Sequence, residues 1–371
     1  MKSARLALLL FCFPVACDSA SEPTTASAER AASTPGTPVA QAAKPAPLKL
    51  PAGAEAGATA LKARHDPDKG FSGDLSAKDL PGLLWLAAHG EKPLLVADAF
   101  HEAAGLITLD EKSEKTLAES AAQTSLSRLD DASIDVVHGA LDLLSPMLSA
   151  DTVDPTVVSA LERMLVGGSS QERKVLAAST LHQITFDTKS ALGLTATALA
   201  SDEPAVVVTT LSWMPRLRAE RPALTQLIQP FLKHENPAHV GAALQAFARN
   251  ADKSAKDALT VVEPFLRSKD GYVRAHALSA YAKLAGKTAA SAIAANLDNR
   301  DAIADRRIAH PREDGTSAKA GPYLAAKEVR QAAVNAIRYA DSSASISVDW
   351  HKPESADAAY TAAKAWAKKT G

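Results

Sequence analysis

The chain has 371 residues, 46% of them hydrophobic, with 41 basic against 42 acidic side chains. That balance leaves no surplus of cations to neutralise phosphates, which excludes the ordinary electrostatic mode of nucleic-acid binding. The two cysteines, Cys12 and Cys17, lie at the start with none after them, so neither a disulfide framework nor a cysteine-bound metal is expected in the folded part.

Met1 to Arg5 carry positive charge, Leu6 to Val15 form a short apolar run, and Ala16-Cys17 follow where a signal peptide would be cut. The run is too short to span a bilayer as a helix. It resembles a bacterial lipoprotein signal, with Pro14 where that family usually has leucine three residues before the cysteine. The resemblance implies that residues 1–17 are a lipoprotein-type signal ending at Cys17, which carries the lipid. The protein would then be exported and anchored to a bacterial envelope membrane, inner or outer, and export also separates it from the genome.

Residues 18–58 are rich in Ala, Ser, Thr and Pro, with scarcely a large apolar residue before Leu48. Such a stretch cannot offset its ordering entropy by burial and reads as a disordered tether. About 40 residues of this kind reach roughly 35 Å as a flexible coil and up to roughly 120 Å where proline extends them.

From residue 59 to 371 the pattern changes. Leu129, Leu165, Leu199, Leu232, Leu266 and Leu297 recur at steps of 36, 34, 33, 34 and 31 residues, each before a polar turn. Self-similarity at this period marks a solenoid, whose units bury their apolar faces only by stacking. In four copies the leucine is followed 12 residues later by a second apolar anchor: Leu141, Leu211, Leu244 and Leu278. Pro93, Pro204 and Pro237 each precede an anchor by seven residues, as expected of a proline opening a helix. The units are read as helix pairs at 76–107, 113–149, 154–186, 189–218, 221–252 and 255–286, and a seventh pair at 288–298 and 324–340. Ser76 to Asp79 reads as a capping box at the entry. Ser355 to Lys369, with Tyr360, Ala363 and Trp366, reads as a closing helix for the open end.

Asp270-Gly271-Tyr272-Val273-Arg274 and Glu328-Val329-Arg330, each an acidic turn leading into Val-Arg and then small apolar residues at helical spacing, resemble HEAT and HEAT-like repeats over about residues 76–340. The resemblance implies an all-α fold, a right-handed α-α superhelix of about seven hairpins plus a capping helix, with the second helix of each pair on the concave face. It implies a non-enzymatic scaffold or adaptor that binds another protein or peptide there. HEAT-like lyases that handle bilin chromophores supply the alternative, a small-molecule-binding enzyme whose site is assembled from several repeats.

No nucleophile elbow, phosphate-cradling glycine loop or zinc-protease helix occurs after the tether. His101, His138, His182 and His276 fall on second helices at differing offsets from their anchors, which favours structural roles over a metal site. No cofactor is expected, and a monomer is. The one irregularity is the step from Leu297 to Val334, 37 residues against the usual 12. The charged insertion at 299–323 carries Arg306, Arg307, His310 and Arg312, and with Arg274 these are the candidate partner-binding residues, arginine forks suited to a carboxylate, a phosphate or an acidic protein surface. The competing reading is a solvated loop whose charges pair among themselves.

Overall fold

A computed structural model of the chain describes residues 50, 52–109, 115–167, 169–217, 220–252, 256–346 and 353–371. The expected signal, Cys17 and most of the tether, 18–49 and 51, lie outside them. Helical structure is present on the tether side of the sequence boundary: α1 (Ala54–Lys62) falls partly within the stretch assigned to the tether, and its Ala58 and Leu61 are buried. Alanine is the best helix former, and Gly57 of α1 meets Gly82 of α2 (Leu80–His89) so closely that a Cβ on Gly82 would lie 2.8 Å from backbone. A short hairpin, β1 (His65–Asp66) and β2 (Gly70–Phe71), separates α1 from α2. His65 Nε2 lies 2.7 Å from Asp98 Oδ2 and ties that hairpin to α3 (Pro93–Leu109). The entry turn differs in detail from a capping box: Asp79 Oδ2 accepts from both the backbone N–H and the hydroxyl of Ser76.

The remaining helices are α4 (Lys115–Arg128), α5 (Ile134–Leu148), α6 (Pro155–Val166), α7 (Gln171–Thr180), α8 (Thr188–Leu199), α9 (Pro204–Ser212), α10 (Arg221–Leu232), α11 (Pro237–Asn250), α12 (Lys256–Val262), α13 (Gly271–Ala285) and α14 (Ala290–Ala294). After an insertion containing β3 (Ile308–Pro311) and β4 (Ser317–Ala320) come α15 (Val329–Ala340) and α16 (Pro353–Thr370). The pairs α2–α3, α4–α5, α6–α7, α8–α9, α10–α11, α12–α13 and α14–α15 each form a hairpin. Second helices then stack in unbroken order from α3 through α5, α7, α9, α11 and α13 to α15, and first helices stack from α2 through α4, α6 and α8 to α10. This is an all-α solenoid of stacked helix pairs, the arrangement expected of a HEAT-like chain, with two short β-hairpins as its only strands among the described residues.

The repeat pattern maps onto the core. The anchors Phe100, Leu141, Leu181, Leu211, Leu244, Leu278 and Val334 are all buried, as are five of the six ladder leucines. Leu266 is half-buried, because its helix α12 tightens into a 3₁₀ turn over Glu263–Arg267. Burying a leucine of this kind contributes about 2 kcal/mol. Pro93, Pro155, Pro204 and Pro237 open α3, α6, α9 and α11, where the missing N–H costs no hydrogen bond. Asp154, Ser170, Asp187, Asn236 and Asp270 cap their helices through side-chain acceptors. At the far end α16 lies against α14 and α15, burying Ala359, Ala363 and Ala367 with Tyr360 and Trp366 at the margin. Trp366 Nε1 donates to Asp341 Oδ2 at 3.1 Å and Lys364 Nζ to Asp298 Oδ1 at 2.6 Å.

Candidate functional site

The insertion is an ordered strap with a closed base. Ile303 N–H donates to Lys327 O (2.8 Å), Val329 N–H to Asp301 O (3.0 Å) and Arg330 N–H to Asn299 O (2.8 Å), so its two ends run antiparallel beside α15. Strands β3 and β4 pair from Ile308–Ala320 to Pro311–Ser317. Their loop turns at Gly315, which has φ of +81°, and Asp314 accepts from the backbone and hydroxyl of Thr316. Asp-Gly between strand-length segments is a strong hairpin signal, and it stands in the sequence at 314–315, where the sequence reading expects only a loop.

This hairpin lies on the second helices of units far away in the chain, packing on α7 and α9. Glu172 on α7, 7% exposed, accepts from Arg312 Nε at 3.0 Å and from the Glu313 backbone N–H at 2.8 Å. Arg173 answers with a two-pronged bond to Glu313, at 2.6 and 3.1 Å. Nearer the base, Arg306 pairs with Asp270 at 3.0 Å and Arg274 with Asp301 at 2.7 Å, while Tyr272 donates to Pro322 O at 2.9 Å. Two glycines admit the strap: a Cβ on Gly321 would lie 2.8 Å from Val208 Cγ1, and one on Gly271 would lie 2.5 Å from Ala302 O.

Every candidate partner-binding residue of the sequence reading therefore sits in or under the strap, while Cys17 lies outside the described residues. Arg306, Arg312 and Arg274 each hold a carboxylate on the opposite side of the strap–solenoid seam. Arg307 instead grips Asp305 within the strap, together with Lys319, and lies over the Tyr323 ring. His310 is 6% exposed on β3, its Nδ1 without a hydrogen-bond partner. The charges do pair, as the competing reading has it, but mostly with the solenoid and not among themselves.

The electrostatics follow from these bonds. Burial pushes the Asp305 carboxyl up, but the hydrogen bonds from Arg307 and Lys319 outweigh it and hold the group well below the carboxylate range. The bond from Arg173 holds Glu313 down, and the bond to Glu172 pushes Arg312 up. Burial lowers His310.

The strap covers the N-terminal ends of α7, α9 and α13. Toward the C-terminal ends of the second helices the structure presents features the sequence reading missed. Trp213, at the end of α9, is 48% exposed and packs its ring 5.1 Å from His182. A cavity of about 530 Å³ is lined by Arg216, Leu217, Arg221, Ala248, Arg249, Asn250, Lys283 and Tyr339. Four of these side chains are cations and none is an acid. Arg249 and Lys283 are 34 residues apart and Arg216 and Arg249 are 33 apart, so superposing the repeats would have aligned them at one position.

The histidines are dispersed. His276 is fully buried in α13, with Gln245 Nε2 donating to its Nδ1 at 2.9 Å. His138 lies 4.0 Å from Asp142 on the same helix. His234 and His239 stack at 4.1 Å beside a smaller cavity of about 210 Å³ that also touches Ser201 and Asp202. No group of three or more His, Cys, Asp or Glu that could hold a metal occurs among the described residues, and no helix among them is long and apolar enough to cross a membrane.

The stacked hairpins and their strap define the class, an α-solenoid with an inserted β-hairpin. No protein-family model matches the chain, and no curated protein does. Among solved structures it is similar to Kap121p bound to Nup53p, at 14% identity and a TM-score of 0.46 over 78% of this chain and 33% of that one. A mutant of Kap121p gives the same values. An engineered protein gives 14% identity and a TM-score of 0.33 over 86% of this chain and 95% of its own. The chain spans about a third of the length of Kap121p.

Proposed function

We propose that this protein is a non-enzymatic scaffold or adaptor, held at a bacterial envelope by a lipid on Cys17, which binds another protein or peptide on its second helices. One observation carries the binding half of this reading. The chain's own segment from Arg300 to Tyr323 already lies across second helices of separate units, held by ion pairs at Glu172, Arg173 and Asp270. A layer of this kind that accepts one extended polypeptide has the geometry to accept another. Extended surfaces of stacked repeats are well suited to this use. Arg306 and Arg312, with side chains 47% and 40% exposed, keep part of their guanidinium surface available beside their internal partners. The anchoring half rests on the sequence around Cys17 and on the tether that follows it.

The two halves are tested together by crosslinking in native membranes. The expected result is a defined protein attached to the wild-type chain, an acyl group in the intact mass, and release from the membrane on Cys17→Ala. An unmodified mass, or a Cys17→Ala chain that stays on the membrane, overturns the anchor. Absence of any attached protein while a small molecule copurifies overturns the scaffold in favour of a small-molecule binder.

A further inference from the structure

We infer that the cavity at the C-terminal ends of α9, α11, α13 and α15 is a binding site for a small polyanion that presents two or more carboxylate or phosphate groups. The inference goes beyond the scaffold reading and does not depend on it. Arg216, Arg221, Arg249 and Lys283 stand around about 530 Å³, a volume within the range that holds small-molecule ligands. Among the described residues no carboxylate pairs with Arg216, Arg221 or Arg249.

Arg249 is the central residue. It is largely buried, and burial together with the neighbouring Arg216 lowers it to about 10. Its Nη2 donates to Leu211 O at 2.7 Å, but its Nε is buried with no hydrogen-bond partner. A guanidinium taken out of water with one donor unused, beside further cations, is costly unless something negative answers it. The planar fork of arginine matches carboxylate and phosphate oxygens.

Helix dipoles do not explain the cluster. A cation near a helix C-terminus is favourable, which accounts for Arg249 and Lys283. Arg221 is the first residue of α10, where a cation is unfavourable, and Glu220 gives that N-terminus no side-chain cap. Arg216 lies in the loop between helices. Both point to an anion as the missing partner. Tyr339, its ring 4.5 Å from Lys283 Nζ, supplies a flat wall for the body of the ligand.

The experiment is calorimetric titration of the full folded chain with citrate and with pyrophosphate at low salt, backed by thermal shift. The expected result is saturable one-to-one binding of at least one probe, tighter than about 1 mM, with a rise in Tm by ligand linkage. The probe that binds tighter identifies carboxylate or phosphate as the native chemistry. The double variant R216A/R221A alters an exposed loop cation and a cation at the unfavourable end of α10, and it should weaken binding at least tenfold while leaving the unliganded Tm near wild type. R249K keeps the charge and loses the fork, and should also bind at least tenfold more weakly. Failure of both probes to saturate below about 10 mM, or equal affinity in R216A/R221A and wild type, overturns the inference. So does tighter binding of an acidic peptide than of either probe, since that would make the cavity part of a protein interface.

Discussion

His276 shows what a single buried side chain does to the solenoid. It sits at 0% exposure between Gln245 and Tyr272, and burial, with Lys283 nearby, lowers its pKa from 6.5 to about 3. His239 is lowered to about 4, chiefly by burial, and His310 is lowered as well. In the unfolded chain these histidines take up protons near 6.5, and in the folded chain they do not. Their contribution to stability is therefore complete above pH 6.5 and is lost as pH falls toward the folded values. Each fully buried histidine lowers stability by at most about 1.4 kcal/mol per pH unit in that window. Between pH 6.5 and 5 denaturant melts should show declining stability, and His276→Leu should show a shallower decline. Parallel profiles would contradict the assignment. Gly241 makes a second test at this scale. A Cβ there would lie 2.6 Å from Tyr272 and 2.7 Å from His276, so Gly241→Ala should destabilise by about 1–3 kcal/mol through overpacking, and an unchanged Tm would show that the contact can relax.

At the scale of elements the strap and the end cap carry the predictions. Glu172 accepts from both Arg312 and the Glu313 backbone, so Glu172→Ala should loosen the β3–β4 hairpin from α7. Faster amide exchange in β3 and β4, with α7 and α9 unaffected, is the expected outcome; an unchanged hairpin would mean that apolar packing on α9 alone holds it. The Arg312–Glu172 pair is partly solvent-exposed, so a double-mutant cycle should return no more than about 1 kcal/mol. Removing α16 should expose Ile293, Val334 and Ile337, which are now buried in the terminal cluster. The truncated chain should melt lower and bind a hydrophobic dye, and an unshifted melt would deny α16 its role as a cap.

The helix pairs were legible in the sequence because stacking repeats the same demand every 31–36 residues. An apolar anchor, a turn and an opening proline recur, and Pro93, Pro204 and Pro237 start their helices as read. The length of the insertion and the positions of Arg306, Arg307, His310 and Arg312 were legible too. Where those side chains go was not, because Arg312 meets Glu172 across 140 residues of chain, and no local pattern encodes such a contact. The β-hairpin was encoded locally, in Asp314-Gly315, but the charged composition around it points to a loop. The cationic cavity draws Arg216, Arg249 and Lys283 from three successive units, at one repeat position, and Arg221 from the same unit as Arg249. Each is ordinary beside its sequence neighbours, and only the repeat spacing links Arg216, Arg249 and Lys283.

For the whole molecule, the main contacts among the described residues run between neighbouring units, and the strap adds a tie from the last unit to the third and fourth. That long-range tie occupies one edge of the second-helix layer, and Trp213 and Tyr339 are exposed toward the other. The central claim is that this layer, and not the first-helix layer, meets the partner. Photo-reactive residues placed at Trp213 and Tyr339, and as controls at the exposed Gln226 of α10 and Glu162 of α6, test it in intact cells that express the chain. The account predicts that one and the same protein crosslinks from Trp213 and Tyr339 and not from Gln226 or Glu162. Crosslinks of equal yield from both layers, or from the first helices alone, would contradict it.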